Sequence, residues 1–135
     1  MGSTEETGVG RVNAFPVDER FLFKHYFEGE TVFDRLKPYY NNQQYRFEVP
    51  PAEFDGLRTF LADHGYLLAV VDDLDPFVVV VEKYTHHPEN VFKDSVIQRG
   101  DATHNYFLLK DEAAIDRVVR NGATPIGRTD FDHPF

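Results

Sequence analysis

Tyr45, Phe47 and Val49 alternate with Arg46 and Glu48, and a period of two puts the three apolar side chains on one face of a half-buried strand. Pro50 and Pro51 stop that run, after which Phe54, Leu57, Phe60 and Leu61 recur at helical spacing as far as Gly65. Pro51 suits a first helical position and Gly65 a left-handed cap, so the pattern predicts a helix over 51–64. Tyr66–Val71 and Phe77–Glu82 are β-branched and aromatic runs joined only by Asp72-Asp73-Leu74-Asp75-Pro76. They are expected to pair as a hairpin, with strands near 66–71 and 77–84 at the centre of a sheet. A further strand is expected near 105–110. Asp111 then caps a helix over 111–121 whose inner face is Ala114, Ile115, Val118 and Val119, with Arg117 and Arg120 near its negative end and Gly122 as its stop. Thr124–Ile126 reads as an edge strand, a place that tolerates Pro125.

The N-terminal third is less regular. Residues 1–14 are polar and Gly-rich, and are expected to form a disordered tail. Phe15, Phe21, Phe23, Tyr26 and Phe27 follow no clean period, so helix and strand are both open there; the segment reads as a lid over the sheet or as a partner surface. Thr31 and Asp34 resemble a capping box for a short helix carrying Val32, Phe33 and Leu36 and ended by Pro38.

The expected order is βαββ, a long connection, then βαβ. That is an α+β chain with a mixed, mostly antiparallel sheet and helices on one face, and its nearest common arrangement is a ferredoxin-like sandwich with an insertion. Residues 15–126 are taken as one domain and 127–135 as a C-terminal loop. The expected core holds Phe47, Phe54, Leu57, Leu61, Leu68, Val70, Val79, Phe107, Ile115 and Val118. Such a fold carries no function by itself.

Composition narrows the function classes. With 135 residues and 41% apolar content the chain can build a core without staples, and zero cysteines exclude disulfides, Cys-ligated metals and thiol nucleophiles. The apolar runs fall far short of the ~20 residues that span a bilayer, and residues 1–20 lack the order of a signal peptide, so the expectation is a cytoplasmic protein without membrane contact. A formal charge of −9 disfavours bulk nucleic-acid binding. The acids divide into 13 Asp and 10 Glu and the bases into 9 Arg and 5 Lys. In that bias the chain resembles the proteins of salt-in haloarchaea, which implies a cytosolic, salt-adapted protein and names no function; a GC-rich genome gives the same Arg bias. At molar salt the Debye length is about 3 Å, so function would rest on short-range contacts.

Several chemistries are absent. There is no Walker A loop, and Gly8 and Gly10 do not follow a strand. The two serines, Ser3 and Ser95, lie outside any Gly-x-Ser-x-Gly elbow. Glu82 and Lys83 are adjacent and point to opposite faces, unlike the Glu-x-Lys pair of metal-dependent nucleases. Asp72, Asp73 and Asp75 lack the EF-hand pattern and read as a soluble turn.

The remaining candidate is residues 83–110. Four bases against three acids give it a net +1, whereas residues 1–82 carry fifteen acids against seven bases. It also holds three of the six histidines and is expected to be a long connection of little hydrophobic order, which is more often functional than a plain linker. Two readings follow. Lys83, Tyr84, His86, Lys93 and Arg99 would bind an anion, Arg99 supplying a bidentate fork, in a non-catalytic binding or interaction module whose partner is a second copy or another protein. No cofactor is expected in that case. Alternatively His86 (or His87), Asp101 and His104 would hold Zn or Mn in a small hydrolase acting on phosphoesters.

Overall fold

The computed structural model describes residues 10–135; the tail expected over 1–14 therefore lies outside the described residues as far as residue 9. The chain is α+β, with helices and two sheets, and it divides between Asp72 and Asp73 into two compact units.

In the first unit, Gly10–Val17 (β1) and Arg20–Phe23 (β2) form an antiparallel hairpin with Val17 opposite Arg20. Residues 10–14 are thus strand rather than tail, and the aromatic segment begins as a hairpin. Its two turn residues, Asp18 and Glu19, both have positive φ (54° and 63°), the backbone that matches the right-handed twist of the flanking strands. Glu30–Leu36 (α1) buries Val32 and Leu36. Its cap is Gly29 without any side-chain hydrogen bond, so Thr31 and Asp34 form no capping box. Tyr40–Asn41 (β3) and Arg46–Val49 (β4) follow. Phe47 and Val49 point inward as the alternation requires, while Tyr45 stands outside the strand, exposed and at φ 57°. Pro51–Asp63 (α2) opens on Pro51 and buries Phe54, Leu57 and Leu61, and Gly65 follows at φ 89°. Tyr66–Val70 (β5) closes the sheet in the order β3-β4-β2-β1-β5. β5 runs parallel to β1, with Gly10 opposite Tyr66 and Ala14 opposite Val70.

The second unit has its own sheet. Val78–Glu82 (β6), Ser95–Gly100 (β7), His104–Leu109 (β8) and Thr124–Pro125 (β9) align in the order β7-β8-β6-β9, all antiparallel. Val91–Asp94 (α3) precedes β7, and Glu112–Arg120 (α4) follows β8. Asp111 caps α4 by accepting the Ala114 N–H at 2.8 Å. Val79, Val81, Phe107 and Leu109 pack with Ala114 and Val118 beneath that helix.

The expected hairpin of 66–71 with 77–84 is not formed. β5 finds its partner in β1, a strand hidden in the polar N-terminus, and a 3-10 turn at Asp75–Phe77 then delivers β6 to the other sheet. The strands accordingly do not build the single ferredoxin-like sheet. The expected long connection is also largely ordered as α3 and β7. A register shift between Ser95 and Ile97 leaves Ser95, Val96 and Ile97 all buried, and such a bulge erases the period of two that marks a strand. Of the expected core, Val70 and Ile115 are only partly buried.

Candidate functional site

The segment 83–110 is organised around β6 and β8, and their register decides which side chains can meet. Glu82 lies opposite His104, Val80 opposite Tyr106, and Arg99 of β7 opposite the same Tyr106. Directly paired residues share a face, so Glu82, His104, Tyr106 and Arg99 stand on one side. Lys83 goes to the other. Its Cε passes 3.2 Å from the point where a side chain on Gly100 would begin, and Asn105 Oδ1 comes within 2.5 Å of that point, so a larger residue at Gly100 would displace the Asn105 side chain. Tyr84 is 95% exposed at the turn after β6, and Lys93 is exposed on α3. The five residues expected to bind an anion are therefore not brought to one place. Pleat parity separates Lys83 from Arg99.

Arg99 is held by the C-terminal segment. Its Nη1 donates to the Pro134 carbonyl at 2.7 Å, and its guanidinium lies 5.6 Å from the centre of the Phe135 ring. Along the same face, Phe131 packs 4.9 Å from His104 and 6.2 Å from Tyr106.

The metal-ligating trio is likewise not assembled: among the described residues, no group of three or more His, Cys, Asp or Glu side chains is placed to share an ion. Asp101 is consumed by its own turn. Oδ1 accepts the Thr103 and His104 backbone N–H groups at 2.8 Å each, and Oδ2 accepts the Tyr106 hydroxyl at 3.2 Å. Those backbone donors hold the Asp101 carboxyl down at about 2, while burial, then the hydrogen bond to Asp101, pushes the Tyr106 phenol up. His87 is occupied too: Nδ1 lies 2.9 Å from the Thr85 carbonyl and Nε2 3.1 Å from the Asn105 amide nitrogen. A carbonyl at Nδ1 requires that nitrogen to donate, leaving Nε2 to accept. His87 braces the loop.

What does converge is a groove of about 450 Å³ beside the open end of β6, where β9 has stopped pairing after Val80. His86, His104 and Thr85 line it from the segment, Glu82 from the end of β6, and Thr124 and Thr129 from the chain after α4. Thr85 and Thr129 donate their hydroxyls to the Glu82 and Ile126 carbonyls at 2.7 Å, which fixes their oxygens as acceptors on the groove wall. The sequence singled out both histidines. It gave no sign of Thr124 and Thr129, which enter the groove only because β9 pairs with β6.

No protein-family model, curated protein or solved structure matches the chain. Among the described residues, no helix is long and apolar enough to cross a membrane.

Proposed function

We propose that the protein is a non-catalytic binding module that accepts an anionic ligand through the segment 83–110, at the groove beside β6. The observation that carries this reading is that His86 and His104, well separated in sequence, line one groove, and that the segment 83–110 to which both belong has four bases against three acids in a chain of net charge −9. Imidazole N–H groups are charge-capable donors suited to an oxyanion. Glu82 lines the same groove, and its carboxylate, like the threonine acceptors, opposes an anion unless that anion brings a hydrogen-bond donor of its own. Hydrogen phosphate is the simplest such probe.

Calorimetric titration of the full chain with inorganic phosphate is expected to give saturable binding. His86→Ala and His104→Ala should each weaken it about tenfold, the equivalent of roughly 1.4 kcal/mol. Lys83→Ala should change it little, because Lys83 belongs to the opposite face. No saturable heat up to tens of millimolar, roughly the weak limit of specific binding, would overturn the anion reading.

A further inference from the structure

The first unit carries a second cleft, built from four short pieces of chain. Gly10 begins β1, His25, Tyr26 and Glu28 follow β2, His64 and Gly65 end α2, and Tyr66 begins β5; together they enclose about 360 Å³. The Gly10 N–H donates to the Gly65 carbonyl at 2.8 Å, which ties the two parallel strands at their start. A side chain on Gly10 would begin 3.1 Å from Tyr66 Cδ1, so the small residue lets the Tyr66 ring stand against the backbone.

The rings are fixed. Phe27 holds both the His25 ring and the Tyr66 ring edge-on at 4.9 Å, and His25 meets Tyr66 at 5.6 Å and 72°. The Tyr66 hydroxyl accepts the Glu28 backbone N–H at 3.0 Å, which pins the loop. His64 Nδ1 lies 2.9 Å from the Phe60 carbonyl; the nitrogen facing a carbonyl must donate, so the neutral ring presents Nε2 as an acceptor. Tyr26 is 83% exposed, with nothing in the core demanding an aromatic ring there.

The electrostatics choose the sign of the ligand. Among the described residues lining the cleft, Glu28 alone has a formal charge at neutral pH, and no Lys or Arg stands with it. Aromatic faces, ring acceptors and one carboxylate attract a cation, and a soft organic one gains most because its weak hydration is readily exchanged for ring faces. We infer that this cleft binds an organic ammonium ion, with Tyr26 and Tyr66 as ring walls and Glu28 as counter-charge.

The full chain titrated with tetramethylammonium chloride, against sodium chloride at equal ionic strength, is the test. Amide shifts at Gly10, Gly65 and Tyr66 should move saturably with the ammonium ion and not with sodium. Tyr26→Ala and Glu28→Gln should each weaken the response about threefold, in line with exposed cation–π contacts. Both side chains lie at the surface, so an unchanged melting temperature shows that the variants remain folded. A short peptide carrying trimethyl-lysine, titrated in parallel, distinguishes the source: tighter binding assigns a modified side chain of a partner, equal binding a free ammonium compound. Absence of saturation, an equal response to sodium, or unchanged titrations in both variants would overturn the inference.

Discussion

Asp101 shows how one side chain can be read in two ways until its neighbours are known. Beside His104 in sequence it resembles a metal ligand, yet in the folded chain Oδ1 accepts from the backbone of Thr103 and His104 and Oδ2 from the Tyr106 hydroxyl on β8. Its folded carboxyl, held at about 2, is more acidic than the ordinary 3.8, so the stability it contributes is present above the ordinary value and lost as pH falls through the folded one. Asp101→Asn should therefore flatten the acid limb of the unfolding curve between about pH 4 and pH 2, read by circular dichroism; an unaltered acid limb would show that the turn contributes nothing there. Phe54 belongs to the same scale. It is 3% exposed and stacks on Phe21 with ring centres 3.9 Å apart, and Phe54→Ala should cost ~3–5 kcal/mol in denaturant melts. A loss below about 1 kcal/mol would mean the site collapses around the smaller residue.

Elements were legible where local chemistry agreed with burial. β4, α2, β8 and α4 follow from alternation, helical spacing, a proline start and an Asp cap, and the structure uses each of those signals. β1 and β7 were missed for two different reasons. β1 starts among polar and glycine residues, and only its pairing with β2 and β5 reveals it. β7 is concealed by its bulge. The turn of the first hairpin holds Glu19 at φ 63°, a conformation that costs a side chain roughly 1–2 kcal/mol and glycine almost nothing. Glu19→Gly should accordingly raise stability by about 0.5–1 kcal/mol in denaturant melts. Destabilisation would show that the Glu19 side chain contributes more than its backbone strain removes.

At the scale of the whole molecule, 23 acids against 14 bases leave the folded chain repelling itself, and salt screens that repulsion. The denaturation midpoint should rise from low to molar KCl, as expected of a salt-adapted protein. A midpoint indifferent to salt would favour genome composition as the origin of the Arg bias.

Sequence alone determined the α+β class, the helices over 51–64 and 111–121 and most of the core, because periodicity and caps are local and survive without a fold. Tertiary structure decided the rest. Strand partnership sent 66–70 and 78–82 to different sheets, since a strand takes its neighbour from whichever segment completes its hydrogen bonds, near in sequence or far. Pleat parity then placed Lys83 and Arg99 on opposite faces, and the pairing of β9 with β6 brought Thr124 to His86 and His104. Which side chains share a site depends on register, and register belongs to pairs of strands rather than to either one.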